Sequence, residues 1–246
     1  MSPKEITILI VDDDEELLSS IATSFRLFQF NVVEKRSGYE AIEFLKENEN
    51  KVSLIISDIR MPNGGGMDVL EYVRSQNNKN PKVLFISGYS DFTVAQMYNR
   101  GVDGFFSKPF RVSAIKDAIT KTLLNLNERW SQAPVGHLTM MINKTVESIE
   151  PKKENLQFKM GRGGFFTVLT RQIPEVDDLV SFEIKIKDNK PIANLRGQGR
   201  VRWVRSEEVD GMTPGAGIEI EYIEDSCRKI FIDWLIRQDF VAYIPE

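Results

Sequence analysis

Residues 52–73 read VSLIISDIRMPNGGGMDVLEYV. An apolar run leads straight into Asp58, and a methionine, a proline and a run of glycines follow before apolar residues return at helical spacing. Continuous apolarity is what a strand covered on both faces of a parallel sheet requires. A carboxylate closes such a strand without strain if it sits in solvent at the strand's carboxyl end, where sites form in open α/β sheets. The reading of the fold therefore turns on how the neighbouring strands end.

Working outward, ITILIV, FNVVEK, KVLFIS and GFFSK are further short β-branched or aromatic runs. Helix-like segments separate them: EELLSSIATSFRLF, GYEAIEFLKEN, MDVLEYVRSQ, DFTVAQMYNRG and VSAIKDAITKTLLNL. Five strand–helix units of this length predict an α/β doubly wound, five-stranded parallel sheet over residues 4–127. The first strand runs into Asp12, Asp13 and Asp14, the third into Asp58, the fourth into Ser87 and the fifth into Lys108. On one sheet edge, carboxylates, a hydroxyl and an ammonium converge.

Clustered carboxylates repel unless a cation sits among them. A hard divalent cation such as Mg²⁺ suits this set, because it takes a few carboxylates and keeps waters and phosphate oxygens as its other ligands. An exposed carboxylate beside it can attack a phosphoryl group and form an aspartyl phosphate. Lys108 then pairs with the added charge and Ser87 donates to a phosphoryl oxygen. Taken singly, the residues have plainer readings: Asp12, Asp13 and Asp14 as a helix cap and acidic first turn, Ser87 as a turn residue, Lys108 as a solvated charge. The joint pattern, in order on the right strands, favours the site.

On these motifs, residues 4–127 resemble a response-regulator receiver (CheY-like, flavodoxin-like) domain. ILIVDDDEELL matches the family's acidic pocket, LIISDIRMP its phosphoacceptor segment, VLFISGYSD its switch hydroxyl and GFFSKPF its lysine–proline signature. The resemblance implies that Asp12, Asp13, Asp58 and the main-chain carbonyl of Arg60 hold Mg²⁺. It also implies that Asp58 takes a phosphoryl group from a sensor histidine kinase or phosphotransfer protein. Ser87 is then the switch residue, Lys108 pairs with the phosphoryl group, and Phe105 fills the aromatic switch position without the hydroxyl of the usual tyrosine. The Lys108–Pro109 bond is expected to be cis. A homodimer through the face spanning residues 91–124 is a further implication. A haloacid-dehalogenase-like phosphatase is the competing enzyme reading, since Asp12 and Asp14 fit its D-x-D. Glu16 stands where that family wants Thr or Val, its late acidic pair is missing, and Asp58 is left without a role. No enzymatic activity is expected.

After residue 127 the rhythm breaks. NERWSQAPVGH reads as a linker, placed at residues 128–136. NLQFKMGRGGFFTVL, DLVSFEIKIK, ANLRGQGRVRWVR and GAGIEIEYI then alternate or carry glycine punctuation, and predict a small antiparallel β domain over residues 137–246. EDSCRKIFIDWLIRQ closes it as an amphipathic helix with Ile230, Phe231, Trp234 and Leu235 on its apolar face. The order of glycine turn, hairpins, strands and helix over residues 156–237 resembles the PilZ domain, a small β-barrel whose typical members bind cyclic di-GMP. That family's R-x-x-x-R run is absent, for no arginine lies between Arg129 and Arg162. In KMGRGG, Lys159 and Gly161 replace the expected acceptor and serine, and lysine cannot accept a hydrogen bond. Arg162 and Gly164 are the remaining weak candidates. A protein partner is expected rather than cyclic di-GMP, with a dual-input regulator that also binds the nucleotide as the alternative.

Arg196, Arg200, Arg202 and Arg205 are expected on a solvent-facing strand, with Val201 and either Trp203 or Val204 turned inward. Trp234 is expected to plug the barrel, and one of the adjacent Phe165 and Phe166 must face outward. A length of 246 residues accommodates two ordinary domains, and 41% hydrophobic with 28% charged residues marks a globular chain. The net charge of −4 and the lack of a helix-turn-helix pattern argue against DNA binding. No signal peptide and no apolar run of membrane-spanning length is present, so a bacterial cytoplasmic protein without membrane insertion is expected. The single Cys227 and single His137 exclude an intrachain disulfide and multi-histidine or cysteine-rich metal sites.

Overall fold

The structure is a computed structural model that describes residues 5–48, 51–76, 79–88, 91–151, 157–187, 192–209 and 211–246. Residues 4 and 156, where the two expected segments begin, lie outside the described residues. The chain divides into two compact units, Met1–Thr93 with Arg100–Leu123, and Val94–Asn99 with Leu124–Glu246.

The first unit holds β1 (Thr7–Val11), α1 (Glu15–Leu27), β2 (Asn31–Lys35), α2 (Gly38–Glu47), β3 (Leu54–Ser57), α3 (Gly66–Gln76), β4 (Lys82–Ser87), β5 (Gly104–Ser107) and α5 (Val112–Leu123). Its strands form the expected five-stranded parallel sheet in the order β2-β1-β3-β4-β5. Every residue of β3 is buried, as a doubly covered strand demands. Ile8, Ile10, Ile56, Leu84 and Ile86 pack on one face against Phe25 of α1 and Ile115 and Ile119 of α5. The side chain of Asp14 accepts from the Glu16 and Leu17 N–H groups at the start of α1, and Ser37 accepts from Glu40 at the start of α2.

The register places Val11 beside Ser57, Ser57 beside Phe85, and Ser87 beside Ser107. The carboxyl ends of β1, β3, β4 and β5 therefore share one edge. The glycine run after β3 has a steric reason. Gly64 has φ of 90°, and a Cβ on Gly66 would stand 2.3 Å from the Asp58 carbonyl oxygen. Below the sheet, Arg74 of α3 is buried and donates to the carbonyls of Gly101 and Pro81 and to Asp103, at 2.9, 3.0 and 2.7 Å. Asp103 also accepts from the Val83 N–H at 2.8 Å, tying α3 to the sheet.

The second unit holds α4 (Val94–Asn99), α6 (Leu126–Arg129), β6 (Leu138–Val146), β7 (Phe158–Met160), β8 (Gly164–Val168), β9 (Leu179–Ile186), β10 (Asn194–Arg205), β11 (Gly215–Ile223) and α7 (Asp225–Leu235). α4 is shorter than its sequence segment, and Gly101, with φ of 95°, follows its end. The six-stranded sheet runs β6-β9-β10-β11-β8-β7. It corrects the expectation of an antiparallel barrel in two respects. β6 pairs parallel with β9, because the chain crosses from β6 at one edge to β7 at the other before it returns. The sheet also curls into a half-barrel rather than a closed one, with β6 and β7 as its ends. Its concave side is filled by α7 and by Trp130, which is fully buried against Phe231 and donates its Nε1–H to the Ile220 carbonyl at 2.9 Å.

Within that core, Trp234 stacks on Phe231 and meets Phe240 edge-on, while Ile230 is exposed and Ile232 is buried in its place. Phe165 and Phe166 face opposite sides of β8, yet both are buried. Phe165 joins the core, and Phe166 stacks on Trp203 with the Arg205 guanidinium beside both rings. A register shift between Val201 and Trp203 makes this possible, turning Val204 rather than Trp203 toward the core.

Candidate phosphoacceptor site

Four strand ends build the site. Asp12 follows β1 and is buried; its Oδ1 accepts from the Asp14 N–H at 3.0 Å. Asp58 follows β3, where its own N–H donates to the Val11 carbonyl at 2.8 Å. Its Oδ1 accepts from the N–H groups of Ile59 and Arg60 at 2.5 and 3.3 Å. The other carboxylate oxygen, Oδ2, points to Lys108 after β5. The ammonium of Lys108 donates to Asp58 at 2.6 Å and to Asp12 at 2.9 Å. The Lys108–Pro109 bond is cis, as is Asn80–Pro81.

Carboxylate oxygens of Asp12, Asp13 and Asp58 all lie within 4.8 Å of one another. Such a hard, oxygen-only donor set of differing exposure fits Mg²⁺. Asp14 is not part of it, since its side chain is spent on capping α1. Ser87 closes β4 and is buried, and Phe105 lies half-buried in β5 beside Phe85.

The electrostatics follow from burial against pairing. Burial pushes the Asp12 carboxyl above its ordinary value, and the hydrogen bonds from Lys108 and the Asp14 amide offset this only in part. Burial also works against the charged Lys108, but its hydrogen bonds to Asp58 and Asp12 win and leave its pKa raised. Lys108 is thus a fixed positive charge between two carboxylates, one of them costly to ionise.

The sequence does not disclose one feature of the rim. Arg60 donates from Nε to Asp91 at 3.1 Å and from its Nη2 to the other Asp91 oxygen, joining the loops after β3 and β4. Only two opposite charges in loops 31 positions apart signal it, and such pairs abound in any sequence.

The model of the response regulator receiver domain matches residues 8–120. Residues 8–120 are a response regulator receiver domain. Among curated proteins, the chain is similar to the transcriptional regulatory protein GlrR of Escherichia coli (strain K12), 30% identical over 146 residues, which is 58% of this chain and 32% of that protein. It is similar to the response regulator protein TodT of Pseudomonas putida, 32% identical over 136 residues, 54% of this chain and 58% of that protein. It is also similar to a cyclic di-GMP phosphodiesterase of Thermotoga maritima, 27% identical over 222 residues, 88% of this chain and 54% of that protein. The chain thus spans 58% or less of the length of these relatives. Among solved structures, the signal receiver domain of a response regulator from Bermanella marisrubri is 29% identical, covers 48% of this chain and 98% of that one, and gives a TM-score of 0.43. Among the described residues, no helix is long and apolar enough to cross a membrane.

Proposed function

We infer that the chain is a two-component response regulator in which Asp58 accepts a phosphoryl group and the second unit delivers the output. The observation that carries this reading is Lys108, whose ammonium bridges Asp58 and Asp12 on an edge that also bears Asp13 and Ser87. In the transfer, Asp58 Oδ2 attacks phosphorus, the phosphorus–nitrogen bond of a phosphohistidine donor breaks, and the electron pair leaves with the imidazole. Ile59 and Arg60 amides hold Oδ1, which fixes the carboxylate's rotation. Lys108 lies where the new charge appears and stays protonated, while the Ser87 hydroxyl closes on a phosphoryl oxygen. Asp12, Asp13, Asp58 and the Arg60 carbonyl are the residues that would hold Mg²⁺, which when bound neutralises charge on the phosphoryl oxygens. Incubation with a small phosphodonor and Mg²⁺ should add one acid-labile phosphoryl group, located at Asp58 by mass spectrometry. Equal labelling of Asp58→Asn refutes the assignment.

For the second unit, the reading is a PilZ-like domain that binds protein and not nucleotide. Its cationic residues near the glycine turn are already engaged. Lys159 donates to the Glu246 carbonyl at 2.5 Å. Arg162 donates to the Val241 carbonyl at 3.2 Å and lies over the Tyr243 ring. Arg129 is buried, donating to Glu219 at 2.7 Å and to the Tyr243 hydroxyl. A nucleotide phosphate must displace these partners. Of the three only Arg129 is buried, and giving up its hydrogen bonds costs about 2–5 kcal/mol, whereas the exposed Lys159 and the half-buried Arg162 exchange partners at smaller cost. The reading assigns the chain no catalysis. Cleavage of cyclic di-GMP, the activity in the name of the Thermotoga maritima relative, would refute the absence of catalysis, and a saturable low-micromolar isotherm in calorimetry would replace the reading with the dual-input alternative.

A further inference from the structure

The Arg60–Asp91 pair sits at the rim of the acidic pocket, and phosphoryl transfer as described above does not use it. Arg60 stands two residues after Asp58, and Asp91 four after Ser87. The guanidinium engages both oxygens of Asp91, Nε on Oδ2 at 3.1 Å and Nη2 on Oδ1. That fork ties the loop following the phosphoacceptor to the loop following the hydroxyl. The backbone of Arg60 is meanwhile held by Asp58 itself, through its N–H and Oδ1 at 3.3 Å. The side chain is thus rooted beside the reacting carboxylate, while its charge is held by Asp91.

Both partners are exposed, with 48% of the Arg60 side chain and 66% of the Asp91 side chain accessible. An exposed ion pair is weak and exchanges readily. A phosphoryl group on Asp58 brings about two negative charges and three acceptor oxygens. A guanidinium grips such oxygens in a fork as well as it grips a carboxylate, and the greater charge favours the phosphoryl group.

We propose that Arg60 is a positioning residue of the phosphorylated state. Its guanidinium leaves Asp91 for the phosphoryl oxygens on Asp58, and Asp91 is the competitor that limits how long the phosphoryl group is retained. The exchange makes and breaks no covalent bond. It also releases the tie between the two loops when Asp58 is modified. The proposal rests on the reading of Asp58 as phosphoacceptor, and side-chain substitutions at Arg60 leave its main-chain carbonyl in place.

The test uses the full chain, labelled with acetyl phosphate and Mg²⁺, with donor then removed and the half-life of the Asp58 phosphoryl group followed by mass spectrometry. Asp91→Asn should lengthen the half-life a few-fold, because the carboxylate that competes for the Arg60 guanidinium is gone. Arg60→Gln should shorten it, and Arg60→Lys should recover part of the loss. The deciding variant is the charge reversal Arg60→Asp with Asp91→Arg. It restores the tie but removes the cation rooted beside Asp58, so its half-life should match Arg60→Gln or fall below it. A reversal with the unsubstituted chain's half-life makes the pair a tie alone and overturns the proposal, as does Asp91→Asn with an unchanged or shortened half-life. Failure of the unsubstituted chain to label at Asp58 overturns the phosphoacceptor reading and the proposal with it. Labelling with indistinguishable half-lives overturns the proposal alone.

Discussion

Removing the ammonium of Lys108 tests the charge balance on which the site depends. In Lys108→Ala, Asp12 and Asp58 lose their shared cation while their side chains remain 4% and 12% exposed. Breaking a buried ion pair from one side costs about 3–5 kcal/mol. Because 24% of the Lys108 side chain is accessible, water recovers part of that, and about 2–3 kcal/mol is expected. For a unit of this size, each kcal/mol moves the midpoint by roughly 3–5 °C, so calorimetry in EDTA should show the receiver transition lowered by about 6–15 °C. Mg²⁺ should then stabilise the variant more than the unsubstituted chain, since the second cation takes the place of the first. At a concentration about 100 times its dissociation constant it adds about 2.7 kcal/mol. The pH dependence has a definite sign. Lys108 has a raised pKa, so its contribution is present below 10.5 and is lost only as pH climbs through its still higher native value. The deficit of the variant should therefore persist across neutral pH. A variant with the unsubstituted midpoint in EDTA, or one that Mg²⁺ stabilises less, refutes the reasoning.

Asp12→Asn should raise the stability of the metal-free protein at neutral pH by about 0.5–2 kcal/mol, because burial makes the ionised carboxyl costly; its native pKa lies above 3.8, so it destabilises increasingly as pH rises from there. The same variant should lose the thermal shift given by Mg²⁺, and retention of that shift counts against Asp12 as a ligand. Gly66→Ala drives a Cβ to 2.3 Å from the Asp58 carbonyl oxygen, so phosphoryl uptake should drop sharply while far-ultraviolet dichroism is kept; unchanged labelling refutes the steric argument. Asp103→Ala removes the carboxylate paired with Arg74, whose side chain is 5% exposed, at a cost of about 3–5 kcal/mol in urea unfolding. Replacing both with Arg74→Met and Asp103→Leu should recover most of that loss.

The receiver was legible because its sequence signals are local and mutually consistent. β1, β3 and β4 are largely apolar runs, they and β5 lead into Asp12, Asp58, Ser87 and Lys108, and a parallel sheet puts all those ends on one edge without further information. The separation of Asp14 from the pocket was less legible, since three consecutive aspartates look alike in sequence. Only the turn into α1 decides that Asp12 faces Lys108 while Asp14 caps the helix. The Arg60–Asp91 pair and the Arg74–Asp103 pair were not legible at all, because each depends on long-range placement of two common charged residues.

The second unit shows the opposite case, in which local signals are individually sound and still mislead about closure. LTMMINKTV does not alternate polar and apolar residues regularly and buries only Ile142 and Val146, so its pattern is too weak to announce β6. Pairing with β9 in parallel then depends on a crossover that no turn motif marks. Likewise, NERWSQAPVGH reads as a linker by composition, yet Trp130 is fully buried and its carbonyl accepts from the Ile223 N–H at 3.1 Å. An open half-barrel exposes apolar surface that something must cover, and a tryptophan just outside the predicted strands is one candidate cover. The arginines of β10 make the same point about charge. Arg200 and Arg202 pair with Glu221 and Glu219 on the adjacent β11. Arg205 pairs with Glu246. With Arg196 paired to Glu183 on β9, all four arginines of β10 are matched by carboxylates, and the basic strand that sequence alone presents is largely neutralised in the fold. A partner of this unit must be recognised by something other than the net positive charge of that strand.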